Sequence, residues 1–290
     1  MSSFKCNFCP VCDGKGCIGQ MPGMGGPMQS CNFLLNCDFW NKECESSSFA
    51  EYDGPLPQVR LGPMTGAVEN VGYSDEKLFY SDLVSACCKA GVKISLGDGT
   101  PDFKLLYGIE AAHSCKTKAS VFIKPYPDER IFERFEWAQD VADFCGIDID
   151  SYNIVTMRNL VHLEKKTPAQ MLSIKKFLSS KGIPFVIKGV FTKEDLELVK
   201  EVKPDVVYVS NHGGRVETEK GSTGAFLREN RGFIKNNCSE IWIDGGIRNK
   251  KHLHLAARLG ASSVLLGRPF ASALCSGGEQ GIIALAQSLI

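Results

Sequence analysis

The alternation of strand-like and helix-like stretches constrains the fold of this chain more than any other feature. After residue 55, eight short apolar runs rich in β-branched residues alternate with longer amphipathic stretches. The predicted strands are residues 59–62, 92–96, 119–124, 147–150, 184–188, 206–210, 241–244 and 263–266. Eight βα units in one chain favour a closed α/β fold, the (β/α)8 TIM barrel, over a doubly wound open sheet.

Capping residues mark several helices between these strands. Ser, Thr and Asp favour the first turn of a helix, glycine favours its end, and proline is tolerated at its first position. The predicted helices run from Ser74 to Gly91, over residues 103–114 and 129–144, from Thr167-Pro168, and from a capping box at Thr192–Asp195.

The first 54 residues form a segment of different character, and residues 55–290 form the predicted barrel. Seven of the 13 cysteines precede residue 45, and the segment shows no sustained periodicity, so we expect irregular structure. Four thiols with Cys-x2-Cys steps are candidate ligands for zinc or an iron–sulfur cluster, although a second distant Cys-x2-Cys pair is absent. The alternative is a set of reduced, partly buried thiols. The candidate metal ligands are Cys6, Cys9, Cys12 and Cys17.

Charge and composition exclude several classes of protein. The 33 acidic and 33 basic residues cancel, which argues against a dedicated nucleic-acid binder or a polybasic membrane anchor. No apolar run reaches the ~18 residues that a membrane span needs, and the N-terminus lacks the apolar core of a signal peptide. We therefore expect a cytoplasmic protein with no nucleic-acid partner and no membrane span.

The predicted strand over residues 206–210 ends in Ser-Asn-His-Gly-Gly-Arg. Its Val-Val-Tyr-Val run is typical of a parallel strand buried on both faces. Barrels place their chemistry at the carboxyl ends of such strands. His212 can exchange a proton near neutral pH, and Arg215 offers a planar fork that suits a carboxylate or phosphate. A base and an anion anchor fit the deprotonation of a small acid.

The whole hexapeptide resembles the active-site signature of the FMN-dependent α-hydroxy acid oxidases and dehydrogenases, the glycolate oxidase and lactate oxidase family. The resemblance begins near residue 56 and implies oxidation of a small 2-hydroxy acid to the 2-oxo acid, an electron acceptor and a homo-oligomer. It implies His212 as the base, Asp150 as its supporting carboxylate, and Arg215 and Arg158 as carboxylate anchors. Whether the base takes the hydroxyl proton or the α-proton stays open.

The resemblance also implies an FMN site. Lys188, at the end of the fifth strand, matches a lysine beside the flavin ring, where a cation stabilises the negative charge of the reduced ring. Glycine–arginine loops after strands seven and eight match the phosphate site, and Asp244 matches an acidic residue near the ribityl chain. The implied cofactor residues are Pro63, Met64, Thr65, Asp98, Lys188, Ser210, Asp244, Gly245, Gly246, Arg248, Gly267 and Arg268.

Strand three departs from the family pattern, which has a glutamine for the flavin and a tyrosine for the substrate. Here the chain reads Phe-Ile-Lys-Pro-Tyr over residues 122–126, so the tyrosine is missing or displaced to Tyr126. Two alternatives therefore stay open. One is an FMN-dependent isomerase resembling type 2 isopentenyl diphosphate isomerases, against which Arg215 counts, and the other is a non-catalytic flavin or metal–cysteine redox sensor.

Overall fold

A computed structural model describes residues 31–68, 73–153, 161–216 and 218–289. Eight parallel strands form one sheet in the order β1-β8-β7-β6-β5-β4-β3-β2. A parallel bridge between Arg60 and Lys93 joins β1 to β2 and closes the barrel. The strands are β1 Gln58–Leu61, β2 Ile94–Gly97, β3 Ala119–Ile123, β4 Ala142–Asp148, β5 Phe185–Val190, β6 Val206–Val209, β7 Glu240–Ile243 and β8 Ser263–Leu266. The predicted (β/α)8 barrel is confirmed.

Helices separate the strands and cover the outside of the barrel. They are α1 Cys31–Glu45, α2 Glu76–Lys89, α3 Phe103–Ser114, α4 Asp128–Ala138, α5 Pro168–Ser180, α6 Lys193–Val202, α7 Thr223–Lys235, α8 Lys250–Arg258 and α9 Arg268–Leu289. Short 3-10 turns cover Ser151–Asn153 and His212–Gly214. Within the described residues, no helix is both long and apolar enough to cross a membrane.

The predicted capping box at Thr192 is present, the predicted cap Thr167 also forms a capping box, and one predicted cap is wrong. Thr167 and Thr192 each accept a hydrogen bond from the backbone N–H three residues on, and the side chain there bonds back to the cap. The cap of α2 is Asp75 rather than Ser74, because Asp75 has the extended backbone of a cap and its Oδ1 accepts the Leu78 N–H at 2.8 Å.

The predictions around strand four were misplaced. The helix predicted over residues 129–144 ends at Ala138, and the strand predicted over 147–150 begins at Ala142. The apolar residues after Ala138 continue the helical spacing, but Phe144 packs inside the barrel with its ring centroid 4.8 Å from that of Trp242. A short apolar run fits the period of a helix or of a strand, and here packing inside the barrel selects the strand.

The barrel interior is layered from an amino-terminal plug to a charged mouth. At the closed end, Arg60 lies over the Trp242 ring at 4.2 Å and donates to Ser120 Oγ at 2.9 Å. An aromatic layer of Phe122, Tyr208 and Trp242 lies above it. The next inward-facing layer is charged. It contains Asp148 and Lys188, which lie opposite each other in the register of β4 and β5. The candidate site therefore lies at the carboxyl ends of the strands.

The N-terminal segment contains one described helix, α1, and residues 46–54 after it are irregular. The expectation of irregular structure is wrong for α1, which lies against α7, α8 and the His212–Gly214 turn. Phe33 and Trp40 are fully buried in these contacts. The buried face of α1 also contains Asn32 and Asn36, so it does not form a continuous apolar stripe in the sequence. The domain division at residue 54 stays a prediction.

Candidate active site

Four charged side chains converge at the mouth of the barrel. His212 Nδ1 lies 2.9 Å from Asp150 Oδ1 and 3.7 Å from Asp148 Oδ2. Lys188 Nζ donates to Asp148 Oδ1 at 2.6 Å. Both aspartates and the lysine are buried, and His212 is partly buried. The structure brings the three residues predicted for catalysis together and adds Asp148 to them.

A bulge in β5 makes room for Asp150. The pairing of β5 with β6 shifts between Lys188 and Val190. Gly189, between them, has a φ of +96°, and a Cβ there would lie 2.8 Å from Asp150 Cγ. Only glycine accepts both the backbone conformation and the close approach. At the end of β5, Lys188 thus bonds to Asp148 at the end of β4, and Gly189 leaves space for Asp150 two residues further on.

The two carboxylates respond differently to burial. Burial raises the pKa of Asp150 to about 6, the charge of Asp148 adds to that rise, and Lys188 and His212 oppose it. Burial also acts on Asp148, but Lys188 and His212 outweigh it and hold its pKa well below the usual range. Asp148 therefore stays ionised as the partner of Lys188, while Asp150 gains or loses its charge near pH 6.

The turn that carries His212 is strained. His212 has a φ of +56°, and Gly213 and Gly214 follow at +65° and +91°. A non-glycine residue in the left-handed region costs of order 1 kcal/mol and needs support from its surroundings. Asn211 supplies that support, since its side chain accepts the Gly214 N–H at 2.9 Å. The imidazole is aimed at Asp150 by this turn.

Helix α1 holds the same turn from outside. Asn36 Nδ2 donates to Asn211 Oδ1 at 2.9 Å, and Asn36 Oδ1 accepts from Asn211 Nδ2 at 3.1 Å and from the Thr223 N–H at 2.9 Å. One turn earlier, Asn32 donates to the carbonyls of Val216 and Glu219 at 2.6 and 2.7 Å. Both asparagines are buried. Together they fix the loop after β6.

We expect Asn36→Ala to loosen the catalytic turn. The change leaves the Asn211 amide and the Thr223 N–H without this partner, at a cost of about 1–3 kcal/mol in the free energy of unfolding. Hydrogen exchange of the Gly214 amide should accelerate at least tenfold more than global stability accounts for. Asp75→Ala, which removes the cap of α2 at a cost of ~1 kcal/mol, is the matched control and should not change Gly214 exchange. Equal exchange in both variants would contradict this role.

Three arginines next to the turn lack carboxylate partners among the described residues. Arg268 Nη2 donates to the Gly213 carbonyl at 2.6 Å, and Arg248 Nη1 to the Ile247 carbonyl at 2.8 Å. Arg215 Nε is buried without a hydrogen-bond partner. Burial lowers the pKa of Arg268, and the charges of Arg215 and Arg248 lower it further. Clustered guanidiniums of this kind fit a bound phosphate, so the chain's residues fit FMN.

The glycines of the loop after β7, residues 244–248, which we call the predicted phosphate loop, face α1. Gly245 and Gly246 have φ values of +90° and +81°. A Cβ on Gly246 would lie 2.5 Å from the Asn36 carbonyl, so the pair also lets the helix approach. Trp40 Nε1 closes the contact by donating to the Gly245 carbonyl at 2.7 Å. The prediction treated these glycines as phosphate ligands alone, and the structure gives them a second role.

His252 supports the predicted phosphate loop. Its Nδ1 accepts the Arg248 N–H at 3.1 Å, and its ring stacks on Trp40 with centroids 6.1 Å apart. Burial and the nearby Arg248 charge lower its pKa to about 4, so the ring is neutral and can accept this bond. Sequence reasoning missed His252, although Asn249, the cap of α8 three residues earlier, was a usable signal.

Asp244 is the first residue of the predicted phosphate loop and lies beside the catalytic turn. Its Oδ2 accepts from the Tyr208 and Ser210 hydroxyls at 2.8 and 2.9 Å, and its Oδ1 is buried without a partner. Ser210 Oγ also accepts the His212 N–H at 3.1 Å. Ser210 and Asp244 thus connect the loop after β7 to His212, and the orphaned oxygen is available to a ligand hydroxyl.

The remaining predicted residues are spread around the mouth or lie elsewhere. Met64 contacts Gly267, where a Cβ would be 3.1 Å from its sulfur, and Pro63 and Thr65 flank Gly97 in the same way. Asp98 faces outward, because Arg134 Nε donates to its Oδ2 at 3.1 Å. Four cysteines and one arginine lie outside the described residues, and their roles stay predictions: Cys6, Cys9, Cys12, Cys17 and Arg158.

Tyr126 does not take the place of the missing strand-three tyrosine at the His212 site. Its ring lies 4.7 Å from the Arg134 guanidinium and 5.3 Å from that of Arg130, both on α4. The Tyr126 side chain therefore faces the barrel wall, and strand three presents another residue to the mouth.

The FMN-dependent dehydrogenase family profile matches residues 123–290, more than half of the chain. The chain belongs to this family. It is 37% identical to 2-hydroxyacid oxidase 2 of Homo sapiens over 106 residues, which cover 37% of this chain and 30% of the relative. It is 35% identical to L-lactate oxidase of Lactobacillus jensenii over 119 residues, which cover 41% of this chain and 28% of the relative. The matched part spans about a third of these relatives.

The fold is shared with mandelate oxidase. Its solved structure with (S)-2-phenylpropionate matches 93% of this chain and 84% of its own, with a TM-score of 0.69 and 20% sequence identity. The solved structure of a single-residue variant of mandelate oxidase with benzoyl-formic acid covers the same shares of both chains, with a TM-score of 0.69 at 19% identity. These likenesses support the barrel and its closure.

Proposed function

We propose that this chain is an FMN-dependent oxidoreductase that converts a small 2-hydroxy acid to its 2-oxo acid. The observation that carries the proposal is the His212–Asp150 pair beside Lys188, with Arg215 and the phosphate arginines Arg248 and Arg268 next to the same turn. FMN, when bound, supplies the two-electron acceptor. The relatives are oxidases by name, which does not favour the isomerase alternative.

Each of the four residues Arg215, His212, Asp150 and Lys188 has a separate role in this proposal. Arg215 grips the substrate carboxylate through its guanidinium, whose pKa burial lowers to about 10, so the side chain is charged at neutral pH. His212 Nε2 takes a proton from the substrate, and the Asp150 carboxylate holds Nδ1 and stabilises the imidazolium that forms. Lys188, whose pKa is raised because Asp148, Asp150 and Asp244 outweigh burial, remains a cation. The positive charge of Lys188 would stabilise the negative charge of a reduced flavin ring bound beside it.

Purified protein should carry FMN or take it up, and a 2-hydroxy acid should bleach the flavin without oxygen. Denaturation followed by chromatography identifies the released chromophore, and anaerobic absorption spectra follow its reduction. Failure to bind FMN would remove the cofactor from the proposal. FMN binding without reduction by any of a panel of 2-hydroxy acids would favour the non-catalytic alternative. The natural electron acceptor, the oligomeric state and a cytoplasmic location are further predictions of the same proposal.

A further inference from the structure

Lys124 is a cation of the barrel mouth that the family resemblance does not assign. It directly follows β3, and only 6% of its surface is exposed. Within the described parts of the chain, its ammonium has no hydrogen bond to a side chain and no carboxylate within ion-pair distance. A largely buried charge without a partner is costly, and an anionic ligand in the mouth would offset that cost.

The strand register aims Lys124 into the mouth. Side chains alternate along a strand, and in β3 the inward-facing ones are Ser120, which bonds to the Arg60 plug, and Phe122, in the aromatic layer. The next inward position is Lys124. Since Ile123 pairs with Ile147, Lys124 lies beside Asp148.

The Lys124 charge acts on two aspartates, Asp148 and Asp98. Besides Lys188 and His212, the Lys124 charge helps to hold the pKa of Asp148 low. It also acts on Asp98, but that carboxylate is already held by Arg134. Neither aspartate therefore serves as a dedicated partner of Lys124.

Apart from Arg248 and Arg268, which are assigned to the FMN phosphate, the charges of the mouth then leave two cations unpaired. Lys188 pairs with Asp148, and His212 pairs with Asp150. Arg215 and Lys124 have no such partner among the described residues. They lie after β6 and β3, which are separated by β4 and β5 in the sheet. Two cations on different walls fit a ligand with an anionic group at each end.

We infer that Lys124 binds a second anionic group of the substrate, so that the enzyme acts on 2-hydroxy acids with a further carboxylate or comparable anion. The inference rests on the proposed function, since Arg215 must hold the first carboxylate. A charge-assisted bond of this kind contributes roughly 10- to 100-fold in binding. Lys124 thus sets which hydroxy acid is preferred.

Succinate and butyrate test the binding step without chemistry. They have the same four carbons and differ in one terminal carboxylate, and neither carries a hydroxyl to oxidise. In calorimetric titration of the FMN-loaded protein, we expect succinate to bind at least ~10-fold more tightly than butyrate. Lys124→Met should reduce that ratio to near one, and Lys124→Arg should retain part of it. Lys118→Met, an exposed lysine just before the same strand, should keep the full ratio.

Catalysis separates this inference from the proposed function. With malate and 2-hydroxybutyrate, flavin reduction in the wild type should favour malate, and Lys124→Met should lose that preference. An unchanged ratio in Lys124→Met, or an equal loss for both members of each pair, would overturn the second-anion role while leaving a hydroxy acid oxidase intact. If neither hydroxy acid reduces the flavin but succinate is still preferred through Lys124, the oxidase proposal fails and the anion site stands.

Discussion

His212→Gln should retain bound FMN and slow flavin reduction by a 2-hydroxy acid at least ~100-fold, because a general base contributes about 10²–10⁴-fold. Glutamine keeps a polar side chain in the turn but cannot accept the proton. The phosphate arginines do not depend on the imidazole, so cofactor affinity should stay close to that of the wild type. Anaerobic stopped-flow absorbance measures the reduction step separately from reoxidation.

His113→Gln is a matched control for this prediction. His113 is exposed in the last turn of α3, away from the mouth, and the same substitution there should leave reduction unchanged. Near wild-type reduction in His212→Gln would mean that another group accepts the proton. A simple loss of folding is separable, because it would release FMN from the variant.

The pH dependence of reduction should report Asp150. With a pKa raised to about 6, Asp150 is ionised above that pH and protonated below it. A protonated carboxyl no longer stabilises the imidazolium, so the rate should fall as the pH drops below about 6. Asp148→Asn removes the like charge that raises this pKa, and the acidic limb should therefore move to lower pH. Asp150→Asn should slow reduction by less than His212→Gln, because the imidazole can still accept the proton without the carboxylate that stabilises its charged form.

The barrel could be read from the chain because its strands carry their own signal. Runs such as Val206–Val209 are apolar on both faces, and the two threonine capping boxes mark helix starts locally. Strand four failed for the opposite reason. Its Phe144 and Cys145 extend the spacing of α4, and only contact with Trp242, distant in the sequence, selects the strand.

The site was predictable where one strand end carried a distinctive set of residues. His212, Arg215 and the glycine–arginine loops are local patterns. Asp148 and Lys124 are not, because their roles follow from which face of the strand points inward and from which neighbours are already paired. The docking of Asn36 on Asn211 joins segments 175 residues apart and leaves no local signature.

Substitutions of the neighbouring residues Arg268 and Arg215 should weaken the binding of different ligands. Arg268 belongs to the phosphate cluster, whereas Arg215 faces Asp150, whose charge opposes the fall in its pKa on burial. We propose that Arg268 makes a charge-assisted bond to the FMN phosphate. Arg268→Gln would remove that bond, worth about 1.5–3 kcal/mol, so the dissociation constant of FMN should rise roughly 10- to 100-fold.

Arg215→Lys should leave FMN affinity close to that of the wild type and weaken substrate by a similar factor. Lysine keeps the charge but loses the planar fork that grips a carboxylate at two points. Flavin fluorescence on dilution gives the FMN dissociation constant, and the substrate dependence of flavin reduction gives the affinity for the hydroxy acid. If Arg215→Lys released FMN while Arg268→Gln retained it, Arg215 would be the phosphate anchor and Arg268 the substrate anchor. The two assignments need this test because the two guanidiniums lie close enough to influence each other's charge.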